Sequence, residues 1–304
     1  MSETTRVMKS YEELQFRDDF MFGKVMEDPE LCREVLECLL QKPIGKLKEV
    51  QTQREFRYTV DGKPIRLDVY NEDSYGTVYD TEMENLNHKP VEWHQLPKRS
   101  RYYQGAIDID YMDKGKSYKK LPESRVMFIC TFDPFKKGLC KYTFQECCGE
   151  MPGLTLGDGT QKIFYNCKYQ GNDLPEELRK LYDYVEKGKV DSDLTRKIEQ
   201  AVDKGRKNAL WRTQYMKEWV VIQDAREEGF EKGIEQGIEQ GEDRHLIEQI
   251  CKKLRRGKDV EQIADEVEEN ISRVQAICSV AEEYAPDYKM EDVLRALHAD
   301  TMVE

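Results

Sequence analysis

Apolar residues recur at three- and four-residue intervals over 11–41, at Leu14, Phe20, Met21, Val25, Leu31, Val35, Leu36, Leu39 and Leu40, which is a helical period. Asp28-Pro29-Glu30 interrupts the run and predicts a second helix with Asp28 as its N-cap and Pro29 at its first position. Over 50–60 the pattern changes to Val, Phe, Tyr and Thr, which predicts a strand. Asp61-Gly62 is a turn signal, and Ile65 to Tyr70 alternates as a second strand should. A polar loop, Asn71–Ser74, leads through Gly76 to a third strand over Thr77–Asn85, so an antiparallel meander is expected. A helix follows over 95–112, then a continuous apolar run at 125–132, the mark of a strand buried on both faces. Tyr142–Phe144 and Ile163–Tyr169 extend the sheet, and a helical region begins at Pro175 and runs to about 225. This order predicts an α/β or α+β sandwich around one sheet. Trp211, Trp219 and Val220-Val221-Ile222 read as helix core.

Further along, Gly229, Gly233, Gly237 and Gly241 recur every fourth residue. Each step of four turns about 40° past a full circle, so on a helix they form a slowly winding smooth stripe. Each glycine costs about 1 kcal/mol relative to alanine, and a partner backbone along the stripe would offset that cost. The expectation is self-association through 206–250; the alternative is a flexible linker. Residues 259–281 carry the apolar pattern of two short helices, like a helix-turn-helix with Glu268-Glu269-Asn270 where glycine is usual. Their surface is acidic, which favours protein docking over DNA.

The chain has 304 residues and a net charge of −12. Residues 259–304 hold 13 Asp and Glu against Arg273, Lys289 and Arg295, a balance of −10, which leaves −2 for the other 258. Within those, 42–66 count 7 basic against 3 acidic and 95–141 count 11 against 5, so a local field can attract a polyanion. No stretch reaches the ~20 apolar residues of a membrane helix. The polar start and nine cysteines point to free thiols in a cytoplasmic setting. His88, His94, Cys140, Cys147, Cys148 and Cys167 lack zinc spacing. No GxxxxGK[ST] or GxGxxG is present, so no nucleotide cofactor is expected.

The candidate chemistry lies in the meander. Strict alternation puts Arg66, Asp68 and Tyr70 on one strand face, opposite Ile65, Leu67 and Val69. On the next strand Asp80, Glu82 and Glu84 share a face, and hairpin pairing brings Asp68 near Glu82 and Glu84. Such a cluster takes up protons or binds a cation, and oxygen ligands favour Mg²⁺ or Mn²⁺. The alternative is a solvated acidic strand face. Lys98, Arg99, Arg101 and Gln104 open the following helix, where they can reach a phosphate or hold the metal-bound water, and Arg101 and Gln104 are spaced i, i+3 to share a face.

These residues, in this order, resemble the PD-(D/E)XK nuclease superfamily, and more closely its transposase-like branch, the recombination-promoting nuclease (Rpn) family. The segments that carry the resemblance are Phe16-Arg17-Asp18-Asp19-Phe20-Met21-Phe22, Arg66-Leu67-Asp68-Val69 and Tyr79-Asp80-Thr81-Glu82-Met83-Glu84. Arg99-Ser100-Arg101-Tyr102-Tyr103-Gln104, Phe128-Ile129-Cys130-Thr131-Phe132 and the Gly-Ile-Glu-Gln repeat follow, covering about 11–255. The resemblance implies a restriction-endonuclease-like αβββαβ core with a mixed sheet over 1–172. A helical extension would occupy 173–228, the glycine-striped helix 229–258 and a small acidic helical element 259–304. It also implies a metal-dependent DNA endonuclease associated with recombination or transposition.

Carried over by position, Asp68 and Glu82 would be the metal ligands, and Glu84 stands where the superfamily has Lys and this branch commonly Gln. Ionised Glu cannot donate a hydrogen bond as those residues do. Glu84 is then a further ligand, a general base, or the mark of a weakened enzyme acting as a binding module. Asp19 is a candidate extra acidic residue, against a solvated helix turn. Asp80, Tyr103 and Gln104 are expected to support the site.

Overall fold

The computed structural model describes residues 9–56, 65–85, 93–112 and 117–300. The predicted Asp61-Gly62 turn and His88 lie outside them. Among the described residues six strands form one mixed sheet: β1 (Leu47–Phe56), β2 (Ile65–Asp73), β3 (Val78–Glu84), β4 (Ser124–Cys130), β5 (Lys141–Phe144) and β6 (Thr160–Asn166), in the order β1-β2-β3-β4-β6-β5. β1, β2 and β3 pair antiparallel, as expected of the meander, while β3, β4 and β6 run parallel and β5 is antiparallel to β6. Parallel neighbours cannot be joined by a tight turn, and α3 (Leu96–Tyr111) makes the crossover from β3 to β4. The chain is therefore α/β.

Helices cover both faces. α1 (Asp19–Met26), α2 (Pro29–Leu40), α4 (Glu176–Lys187) and α5 (Asp193–Arg206) bury Phe22, Leu36, Leu181 and Ile198 with Met83, Met127 and Ile129 of the sheet. On the opposite face Leu96, Ala106 and Ile107 of α3 pack with Val126, Phe128, Cys130 and Phe164. β4 thus serves two cores, which explains the unbroken apolar run from Val126 to Cys130. The cap predicted for the second helix is present: Asp28 accepts from the Glu30 and Leu31 amides with Pro29 at the first position. Replacing Asp28 with alanine is expected to lower stability by about 1 kcal/mol, measurable as a shift in the urea midpoint.

The polar stretch expected to be a loop at Asn71–Ser74 is strand as far as Asp73. Asp73 closes the β2–β3 turn with its side chain. One oxygen accepts from the Tyr75 and Thr77 amides, the other from the Gly45 amide and the Tyr79 hydroxyl. Gly76 supplies the left-handed residue of that turn, at φ 84.

The chain divides into two units, 1–217 and 218–304. α6 (Ala209–Leu254) contributes to each. Within the second unit Ile247, Ile250 and Cys251 of α6 form a core with α7 (Val260–Val267), α8 (Ile271–Glu282) and α9 (Met290–Asp300), through Ile263, Val274, Ile277 and Val293. Glu268 ends α7 in the left-handed conformation, φ 53, where glycine is usual. Asn270 then caps α8. The expectation that Val220, Val221 and Ile222 are core is corrected: all three are exposed. Side chains added at Gly229, Gly233, Gly237 or Gly241 would meet nothing within 4 Å. No helix among the described residues is long and apolar enough to cross a membrane.

Candidate functional site

The β2–β3 ladder runs from Glu72–Val78 to Val69–Thr81. One step beyond, where Asp68 would face Glu82, side chains replace the backbone ladder. The Asp68 amide donates to Glu82 Oε1 at 2.8 Å, and the Met83 amide donates to Asp68 Oδ2 at 3.2 Å. Each carboxylate thus holds the other strand's backbone, and the pair sits at a point where the two strands part. The expected nearness of Asp68 and Glu82 is present.

The expected pleat of β2 is not. Ile65, Leu67 and Tyr70 all join the core beneath α3, while Val69 joins the core on the other face. Alternation therefore breaks between Leu67 and Tyr70. On β1, Gln53 lies between the Thr52–Val69 and Arg54–Leu67 pairs with φ 53. This left-handed residue stands opposite Asp68 in the register, a feature that period-two reasoning cannot foresee.

β3 does alternate as expected. Tyr79 and Met83 join the α1–α2 core, and Asp80 and Glu82 lie with Glu84 toward α3. Asp80 is fully buried, and among the described residues no backbone or cationic donor reaches its oxygens; a hydrogen bond with the Glu82 carboxyl lowers its pKa. Burial, then the neighbouring Asp68 charge, holds the Asp80 and Glu82 carboxyls well above the usual carboxylate range, and Arg99 opposes this. Arg99 reaches Glu84 with Nη1 at 2.5 Å and Glu82 with Nη2 at 3.2 Å. Its guanidinium lies 5.4 Å from the Tyr103 ring centroid and 5.5 Å from that of Phe128. Burial disfavours the Arg99 charge, but Glu84, Tyr103 and Glu82 outweigh it and raise its pKa. Burial, followed by the Glu82 charge, raises the Tyr103 pKa.

Of the residues expected to reach a phosphate or the metal-bound water, Arg99 meets the carboxylates, with the expected supporting residue Tyr103 one turn on (i, i+4). Gln104 is buried and donates to Ser124 Oγ at 2.7 Å and Asp108 Oδ1 at 3.0 Å, so it ties α3 to the start of β4. Lys98 and Arg101 are exposed on α3. Asp19 is half-buried at the first position of α1 and has no hydrogen bond to the acidic group among the described residues. Its neighbour Asp18 is the buried one, accepting from Lys9 and from the Gln15 amide. His94 is exposed, and all nine cysteines are free.

Among the described residues no group of three or more Asp, Glu, His or Cys side chains is arranged to hold a metal ion. The donor chemistry nevertheless suits a hard cation. Asp68, Glu82 and Asp80 offer oxygen alone, and three carboxyls this close, two of them buried, need protons or a cation to offset their charge.

Sequence reasoning missed the Asp133–Gly138 loop, counting its lysines only within a basic segment. The signal was Asp133-Pro134 followed by Gly138, a turn composition. Comparison of the chain with protein-family models, with curated proteins and with solved structures returns no match.

Proposed function

We propose that the chain is a divalent-metal-dependent DNA endonuclease on a PD-(D/E)XK-like core, akin to the recombination-promoting branch. The observation that carries this reading is the parting of β2 and β3 at Asp68 and Glu82, with a third, buried carboxyl, Asp80, beside them. Asp68 and Glu82 would hold Mg²⁺ or Mn²⁺, with Asp80 as the adjoining oxygen donor. When bound, such an ion activates water and stabilises charge on a phosphoryl group. Arg99, beside the stacked rings of Tyr103 and Phe128, carries a bidentate-capable cation next to strand position 84. It supplies there the positive charge that Glu84 does not. Nicking of supercoiled plasmid tests the reading: cutting is expected with Mg²⁺ or Mn²⁺ and none with EDTA. Absence of cutting with either metal rejects it.

Glu84 favours a second reading, a silent nuclease fold serving as a DNA- or protein-binding module. Its carboxylate is paired with Arg99, and so is Glu82. Calorimetric titration with Mn²⁺ separates the two: heat of binding that disappears in Asp68→Asn supports the enzyme, and no heat in the wild type supports the module. Self-association through 206–250 is supported by Phe230, Ile234 and Ile238, exposed beside the open glycines.

A further inference from the structure

Arg99 supplies a cation to the acidic group, and its contacts there are unequal. Nη1 meets Glu84 Oε1 at 2.5 Å. Nη2 is shared, 3.2 Å from Glu82 Oε2 and 3.2 Å from the Tyr103 hydroxyl. Tyr103 is itself braced, since its ring stacks with Phe128 at an interplanar angle of 17° and Phe128 stacks with Phe164 at 9°. Of the two carboxylate contacts, the one to Glu82 is the longer and the easier to give up.

Glu82 is crowded. Its side chain is 3% exposed; Oε1 accepts from the Asp68 amide at 2.8 Å, and Oε2 meets Arg99. A divalent cation held by Asp68 and Glu82 competes with these two donors for the same oxygens. The amide belongs to β2 and moves only with the strand. Arg99 is a long side chain on α3, 31% exposed, and it keeps Glu84 when it leaves Glu82. Electrostatics favours that departure. A second positive centre at a buried oxygen repels the guanidinium, and a divalent ion attracts Glu82 about twice as strongly at equal distance.

We propose that Arg99 is an exchangeable counter-cation. A divalent cation that takes Glu82 releases Nη2 from Oε2, Nη1 stays on Glu84, and the freed N–H turns to a phosphate oxygen of the substrate. The arginine thus becomes available to substrate as the metal loads, which couples the two binding events. The exchange rests on the nuclease reading for the presence of both cation and phosphate. The test is calorimetric titration of the full-length protein with Mn²⁺ alone, wild type against Arg99→Lys. Lysine keeps the charge but cannot span Glu82 and Glu84. A simple field effect therefore leaves the affinity unchanged, whereas loss of the competing contact tightens it. Binding about 10-fold tighter is expected in Arg99→Lys, the scale of one charge-assisted hydrogen bond. Equal or weaker binding by the folded variant overturns the exchange. A wild-type crystal soaked in Mn²⁺ decides the matter without a variant. With metal on these carboxylates, Nη2 is expected out of hydrogen-bonding reach of Oε2 and Nη1 still on Glu84. Metal bound with the Arg99–Glu82 contact intact, or no metal there, overturns the exchange. The nuclease reading fails separately, through absent plasmid nicking while Mn²⁺ binds and displaces Arg99.

Discussion

Asp68→Asn is expected to abolish metal-dependent nicking, by roughly 10²–10³-fold or more, the scale on which removing one electrostatic element of a preorganised site acts. Asparagine is the informative replacement. The Asp68 side chain accepts from the Met83 amide, and the carbonyl oxygen of asparagine can keep that bond while the charge is lost. A folded protein without activity is therefore the expected result, checked by an unchanged thermal transition beside the plasmid assay. Glu82→Gln is expected to lose activity to a similar degree. Its second oxygen accepts from Arg99, so some of its effect will come from a displaced guanidinium. Arg99→Lys separates the two contributions. Lysine retains charge but not the forked geometry that spans Glu82 and Glu84, and a partial loss of cutting is expected. Cutting by Asp68→Asn at the wild-type rate would remove this carboxylate from the chemistry and leave the acidic group a structural feature.

The architecture was readable where local pattern and tertiary context agree. β4 reads as a doubly buried strand because its run of apolar residues has no polar member to face water, and both of its faces are in fact covered. Asp28-Pro29 encodes its helix start in two residues, and the cap forms as written. Legibility failed where a backbone irregularity decides side-chain direction. The left-handed Gln53 has no marker such as glycine, and it is opposite this residue, around Asp68, that the alternation of β2 breaks. Which α3 residues meet the carboxylates was not legible for a related reason. Spacing alone allows i, i+3 or i, i+4 pairs, and only the buried face of α3, with Leu96, Ser100, Gln104 and Ile107 in the core, shows that Arg99 and Tyr103 flank the strand end. The nearness of Asp68 to Glu82 was legible all the same because it depends on hairpin register, which the short Asp73–Gly76 turn fixes.

Asp80→Asn is expected to stabilise the protein at neutral pH in the absence of metal, by about 1–3 kcal/mol, the range for relieving the desolvation penalty of a buried polar group. The sign follows from proton linkage. Asp80 and Glu82 both titrate well above their ordinary values in the folded chain, because of burial first and the Asp68 charge second. Between the unfolded and folded pKa values the native state holds more protons than the unfolded one, so stability falls as pH rises. The contribution is complete below the unfolded carboxylate range, about pH 4, and is lost as pH climbs through the raised folded values. Asparagine has no charge to desolvate, and its amide can donate to a neighbouring carboxylate, so the variant's stability should depend less on pH across this window. Denaturant melts from pH 5 to 8, in EDTA, measure the difference directly. A divalent cation should mimic the substitution in the wild type, raising stability most at the alkaline end, and should do less for Asp80→Asn. A wild-type stability that rises with pH across this window would show that the two carboxyls are ionised without penalty, and would leave Asp80 with no need of a cation.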